Sequence, residues 1–184
     1  MACGKSFAVW VALIFFNFLD VEGVVISTGL GQVLGSTEKS RNGRDYFSFR
    51  GLRYAQPPVG PLRFAPPQDV EPWSTVFDAT KDGPMCPQVW EDQSQLSEDC
   101  LVLNVYSTDL NAKKPVIFFI HGGSFIFGSG HSDYVGPQYF MDEGNVVLVT
   151  INYRLGIFGF ITTGTKEEEV HRRFFLSSRF SRSL

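Results

Sequence analysis

Apolar and polar positions interleave in short runs through the first third of the chain, and only later do they fuse into unbroken apolar blocks. Around Val24–Ile26, Gln32–Gly35 and Tyr46–Tyr54, β-branched and aromatic residues alternate with glycines and charged turns, which predicts short strands joined as hairpins. The run Gln56-Pro57-Pro58-Val59-Gly60-Pro61-Leu62-Arg63-Phe64-Ala65-Pro66-Pro67 cannot extend a ladder. Its prolines remove backbone donors and fix φ, so it predicts an extended loop lying over the body. Leu101–Tyr106, Val116–Ile120 and Val146–Ile151 predict three strands, and the last two are continuous apolar runs that call for cover on both faces. Between those two strands lie a loop, His121–Gly136, and a short helix, Pro137–Glu143, with proline in its first turn and Gly144 just past its end. Strand, loop, helix and strand in this order predict an α/β architecture: a mixed, mostly parallel sheet with an antiparallel leading edge. One short helix cannot cover two faces, and beyond Phe160 no segment has a clear apolar stripe. The covering layer is expected to be incomplete, with the strand Val146–Ile151 left as an exposed apolar edge.

The first residues read as an address. Lys5 precedes the apolar run Phe7–Leu19, which ends at Asp20 and is short for a membrane span, and Val21 and Gly23 are small enough to precede a cleavage site. Residues 1–23 are therefore expected to be a secretory signal peptide, with an uncleaved anchor as the alternative. Removing Cys3 with that peptide leaves Cys86 and Cys100 as one even pair in a chain bound for an oxidising compartment. A disulfide is expected, worth about 3 kcal/mol in the chain-entropy picture; two buried free thiols are the alternative. His121, His131 and His171 stand too far apart in sequence to suggest a local metal site, so no metal is expected.

Composition adds exclusions rather than a function. The 16 Lys+Arg against 19 Asp+Glu give a net charge of −3, which supplies no basic footprint for nucleic acid. The 43% hydrophobic and 19% charged residues fit a globular chain, not a disordered or collagen-like one. Phenylalanine, at 18 of 184 residues, reports a sizeable core.

Four blocks carry a resemblance. Ser97-Glu98-Asp99-Cys100-Leu101-Val102-Leu103-Asn104-Val105-Tyr106 resembles the signature segment of the type-B carboxylesterase and cholinesterase family, and Arg53–Phe64 is similar to that family's proline loop. His121-Gly122-Gly123-Ser124-Phe125 with Gly128, then Asn152-Tyr153-Arg154-Leu155-Gly156 with Phe158-Gly159-Phe160, resemble its next two blocks in the same order. The resemblance covers residues 24–164, and from Val146 onward it looks most like secreted insect esterases. It implies the N-terminal portion of an α/β-hydrolase fold, no cofactor, and a secreted enzyme that splits small carboxylic esters through an acyl-serine intermediate. No stable membrane insertion is expected once the signal is removed.

The glycine loop also has a mechanical reading. Ester hydrolysis builds negative charge on the carbonyl oxygen, and backbone N–H groups after a buried strand can face that oxyanion without reorganising. By the resemblance, Gly123 and Ser124 supply the donors of the oxyanion hole and Gly122 makes the turn, with Ser124 standing where many relatives have Gly or Ala. His121 is structural in the family. Cys86 and Cys100 resemble the family's first disulfide, and Arg63 and Glu98 fall where the family has an ion pair. Trp90 matches the aromatic that holds a cation in cholinesterases, with loop or core packing as the plainer reading. Arg154 should pair with an acid further along, and no matching acidic segment is present.

The attacking group is another matter. No serine here has glycine two residues away on both sides; Gly128-Ser129-Gly130-His131-Ser132 comes nearest by composition. From Thr165 to Leu184 the text no longer resembles the family, so residues 165–184 read as a divergent tail, alternatively a basic-aromatic surface patch. The expectation is a truncated family member lacking nucleophile, acid and catalytic histidine, inactive as these 184 residues. The alternative is a non-catalytic, secreted esterase-like binding protein.

Overall fold

The structure is a computed structural model that describes residues 23–162; residues 1–22 of the expected signal peptide and the tail from Thr165 lie outside the described residues, while Gly23, its expected last residue, opens the first strand. Strands β1 (Gly23–Thr28), β2 (Gly31–Lys39) and β3 (Asp45–Arg53) form an antiparallel meander, and β4 (Phe77–Asp78) adds a short parallel bridge to β2. The sheet continues through β5 (Val102–Ser107), β6 (Val116–Ile120) and β7 (Val147–Ile151) in the order β1-β2-β3-β5-β7-β6. Short α-helices α1 (Ser132–Val135) and α2 (Pro137–Glu143) lie between β6 and β7, and α3 (Gly156–Phe160) follows β7.

The sheet is mixed and open, with antiparallel leading strands as the alternating pattern requires. Within the described residues, however, parallel pairing is confined to β6–β7 and β2–β4, whereas β3–β5 and β5–β7 are antiparallel. The expected parallel majority is therefore not reached here, because β5 enters the sheet reversed between β3 and β7. Helix α2 has the bounds its punctuation predicts: Pro137 opens it, and Gly144 closes it at φ 65° with its N–H on the Phe140 carbonyl. Helices α1 and α3, at four and five residues, carry no periodic stripe and were not expected.

Two apolar clusters hold the sheet. Met141 of α2 packs with Tyr46, Tyr106 and Leu148 on one face, while Val33, Phe49 and Ala79 pack with Trp73 and Phe77 around the leading strands. A register shift between Phe49 and Leu52 lets Gly51, at φ 71°, donate its N–H to Asn104 and turns Arg50 toward Glu38 and Asp82.

The expectation of cover for both apolar runs holds for only one. β7 is internal and buried from Leu148 to Ile151, so it is not the exposed edge; β6 is. It pairs with β7 alone among the described strands, and Val116, Ile117, Phe119 and Ile120 remain 37 to 50% exposed. An unbroken apolar run states what a strand prefers, and the described elements leave this one partly exposed.

Candidate oxyanion site

The loop that leaves β6 is unusual in its backbone. Gly123, Ser124 and Phe125 have φ of 116°, 53° and 64° in succession, the left-handed region that side chains disfavour. Glycine is obligatory at the first of them, since a Cβ on Gly123 would lie 1.8 Å from the Phe127 carbonyl oxygen. Gly122 meets nothing within 4 Å. The turn assigned to Gly122 is thus made at Gly123 and the two residues after it, because the chain must fold back to bring Phe127 over Gly123. Holding Ser124 and Phe125 there costs of order 1–3 kcal/mol each, a strain that recurs at functional loops.

Hydrogen bonds close this loop on itself. The Ile126 and Phe127 amides both donate to the Gly123 carbonyl at 3.0 and 3.1 Å, and the Phe125 carbonyl accepts from Gly156 N–H at 2.7 Å. Among the described residues, no protein acceptor engages the Gly123 or Ser124 N–H. Ser124 borders an open hollow of about 410 Å³, lined also by Phe125, Ile126, Ile157, Phe160 and Ile161. Two successive amides without a protein acceptor, the second on a residue that borders an apolar hollow, suit an oxyanion.

His121 sits beneath the loop and is buried. Its ring stacks on Tyr153 at 4.3 Å and 16°, and the Tyr153 hydroxyl donates to the His121 carbonyl. Nδ1 lies 2.7 Å from the Gly122 carbonyl, which can only accept, so Nδ1 carries the proton. Burial pulls the imidazole below its ordinary pKa, with the bond to the Gly122 carbonyl opposing that shift. Because a trans peptide sends C=O and N–H to opposite sides, anchoring the Gly122 carbonyl on His121 turns the Gly123 N–H away from the ring.

The rest of the loop is clamped by side chains that the sequence pattern did not single out. Gln88 donates to the Cys86 and Gly128 carbonyls and accepts the Gly128 N–H at 2.7 Å, and all three bonds are buried. Asn152 accepts from Gly130 N–H and donates to the Pro84 carbonyl; Asn104 and Thr150 both donate to the Gly130 carbonyl. Bonds of one side chain to backbone forty residues away leave no local sequence signal.

Cys86 and Cys100 are joined by a disulfide, with Cα atoms 5.0 Å apart, buried against Leu155. It tethers the segment that bears Gln88. Arg63 and Glu98 form a two-bond pair at 2.5 and 2.7 Å, with the arginine side chain 44% exposed. Arg53, which the sequence reading passed over, makes the equivalent two-bond pair with the neighbouring Asp99 at 3.2 and 2.5 Å. Arg154 is buried, donates to the Ala65 carbonyl at 2.9 Å and so ties the proline loop to the end of β7.

Trp90 is 80% exposed at φ 69°, with its ring edge-on to Phe127 at 5.8 Å. Core packing does not describe it. The serines of the two glycine stretches are also placed. Ser129 is buried, bonding Asn152 and the His131 amide, and the Ser124 hydroxyl has no activating partner. Among the described residues no serine hydroxyl is bonded to a histidine ring: His131 Nε2 is held by the Gly83 carbonyl. Nor do any three His, Cys, Asp or Glu side chains among them gather as metal ligands.

Comparison with known proteins gives concordant matches. The family model described as "Carboxylesterase family" matches residues 22–170. A juvenile hormone esterase of Tribolium castaneum is 50% identical over 145 residues, 76% of this chain and 24% of its own length. Venom carboxylesterase-6 of Apis mellifera is 40% identical over 164 residues, 84% of this chain and 29% of its own. Among solved structures, juvenile hormone esterase from Manduca sexta superposes with a TM-score of 0.72 at 39% identity, over 77% of this chain and 28% of that one. Carboxylesterase EST55 of Geobacillus stearothermophilus gives 0.71 at 39% identity, over 82% and 30%. The chain spans about a quarter to a third of the length of the curated relatives it matches.

Proposed function

Because the chain belongs to the carboxylesterase family, we propose that it carries the oxyanion-binding part of a carboxylic ester hydrolase, and that these 184 residues do not turn over esters by themselves. The observation that carries this reading is the Gly123-Ser124-Phe125 run, in which the Gly123 and Ser124 amides meet no protein acceptor among the described residues and Ser124 borders an apolar hollow. As a hydroxyl adds to an ester carbonyl, charge moves onto the oxygen. Gly123 and Ser124 N–H groups stabilise that charge more than they stabilise the neutral ester, which lowers the barrier. His121 contributes indirectly by pinning the Gly122–Gly123 peptide. The hydroxyl itself needs an adjacent base and a sharp turn that exposes it, and the 184 residues contain no Gly-x-Ser-x-Gly.

The same reading places the protein outside the cell. The Lys5–Asp20 leader, the Cys86–Cys100 disulfide and a venom carboxylesterase among the relatives support export. The substrate class is a small carboxylic ester, bound with its acyl carbon near Ser124.

A chimera tests the proposal: residues 24–162 replace the matching stretch of the Tribolium castaneum esterase. Ester hydrolysis by the chimera, lowered by Gly123→Ala because a Cβ at φ 116° meets the Phe127 carbonyl and displaces the loop that carries the amides, is expected for a loop that supplies oxyanion donors. A chimera that folds and hydrolyses esters equally well with Gly123→Ala overturns it.

A further inference from the structure

The loop that carries the Gly123 and Ser124 amides is gripped by one short stretch of chain. Residues 152–156 leave the carboxyl end of β7 beside residues 121–130, which leave the carboxyl end of its parallel neighbour β6. Asn152 Oδ1 accepts the Gly130 N–H at 2.8 Å, the Gly156 N–H donates to the Phe125 carbonyl at 2.7 Å, and the Tyr153 hydroxyl donates to the His121 carbonyl at 3.0 Å. The far end, the middle and the near end of the loop are thus each tied to the same stretch. Asn152 acts at the end remote from the amides, and the Gly156 bond is backbone to backbone. Tyr153 alone of the three places a side chain on the residue that opens the glycine turn.

Tyr153 holds His121 at two points. Besides the bond to its backbone carbonyl, the phenol ring lies on the imidazole at 4.3 Å and 16°, and is itself met edge-on by Phe160 at 6.4 Å and 88°. The outer torsion of a histidine side chain has broad wells, so the ring plane is set by its neighbours and not by the torsion itself. Nε2 has no hydrogen-bond partner among the described residues, and the bare Cα of Gly128 makes room for the Nδ1 edge, since a Cβ there would lie 2.4 Å from Nδ1. The stacked phenol therefore keeps Nδ1 aimed at the Gly122 carbonyl, 2.7 Å away. Peptide planarity carries that constraint across one bond, from the Gly122 carbonyl to the Gly123 N–H.

We propose that Tyr153 is a positioning residue for ester hydrolysis: by fixing His121 at backbone and ring, it sets the plane of the Gly122–Gly123 peptide and so the aim of the Gly123 N–H at the developing oxyanion. This rests on the ester-hydrolase reading above. Tyr153 works through His121 and touches no reacting atom. A donor that drifts off its aim loses more against the full charge of the transition state than against the neutral ester, so the effect falls on kcat and leaves KM.

The test puts Tyr153→Phe into the chimera described above, beside Gly123→Ala. Tyr153→Phe is expected to lower kcat about tenfold, short of the roughly 10²–10³-fold that loss of a whole oxyanion donor costs, with KM within about twofold of the parent. Affinity for a trifluoromethyl ketone, whose carbonyl oxygen becomes an oxyanion when a serine adds to it, should fall by the same factor as kcat/KM. A merely structural role for the hydroxyl would lower the urea midpoint and leave kcat per folded enzyme and ketone affinity at the parent's values; that result overturns the proposal. Should the variant misfold, nuclear magnetic resonance of the unaltered 184-residue chain decides: a His121 Nδ1 proton protected from exchange, with Overhauser contacts from the imidazole to the Tyr153 ring, upholds the clamp, and free exchange at Nδ1 overturns it. If Gly123→Ala leaves hydrolysis intact, the ester-hydrolase reading falls; if Gly123→Ala impairs it while Tyr153→Phe does not, Tyr153's role falls alone.

Discussion

Gln88 and Gly128 satisfy each other as two strands would: the glutamine Oε1 accepts the Gly128 N–H at 2.7 Å and its Nε2 donates to the Gly128 carbonyl at 3.0 Å. The side chain stands in for a backbone partner where none can reach. Its third bond, to the Cys86 carbonyl, links that clamp to the disulfide. The shape of the oxyanion loop is therefore held from outside the loop.

Removing that clamp should be expensive. Gln88→Ala strands three buried backbone groups, at about 1–3 kcal/mol for each group left unsatisfied, although relaxation will recover part of this. A loss of about 3 kcal/mol in urea unfolding is expected. Gln88→Glu keeps the acceptor for Gly128 N–H but sets a carboxylate against two carbonyls, so it should fail to rescue. Full stability in Gln88→Glu would show that the donors to Cys86 and Gly128 carry nothing.

Gly122 and Gly123 are adjacent and alike in sequence, yet they should respond differently. Alanine at 122 meets open space at an ordinary φ, so the change should fall within about 0.5 kcal/mol, as for an unencumbered surface position. Alanine at 123 forces a Cβ into the Phe127 carbonyl at φ 116° and should destabilise the loop by several times more. Comparing the two urea midpoints, with exchange rates at 121–128, checks the contrast. Equal effects would contradict the assignment of the turn to Gly123.

The contrast also shows what could be read in advance. Helix α2 was legible because Pro137 and Gly144 punctuate it, and the disulfide because Cys86 and Cys100 form the even pair once Cys3 is assigned to the expected leader. The glycine loop was visible as a motif, but the motif places no φ values, so the turn went to the wrong glycine. Arg53 with Asp99 and Gln88 with Gly128 lie 46 and 40 residues apart and show no local pattern. The exposure of β6 was hidden for a different reason: composition dictates the burial a strand prefers, while the elements available to cover it are a property of the whole fold.

Reducing Cys86–Cys100 should loosen the same region. The bond closes a 14-residue separation, for which chain entropy predicts about 3 kcal/mol. Thiol reduction is expected to lower the urea midpoint and to accelerate exchange at Gly128 N–H, since Cys86 and Gln88 are joined by backbone and side chain. An unchanged midpoint after verified reduction would refute this.

Acid should weaken the fold through His121. Its pKa is lowered in the folded state by burial, with the bond to the Gly122 carbonyl opposing that shift only in part. The unfolded imidazole then binds a proton that the folded one refuses over the interval between the folded value and about 6.5. Unfolded protein holds more protons there, so stability rises with pH through that interval and falls as pH drops below about 6.5, levelling once the folded ring is also protonated. Above that range the full contribution is present. The measurement is the urea midpoint at pH 7.5 and at 5.5 for the parent chain and for His121→Asn. Other groups titrate in both proteins, so the difference between the two slopes isolates this ring. The parent should lose more stability on acidification than the variant, and parallel slopes would show that His121 is not held neutral beneath the loop.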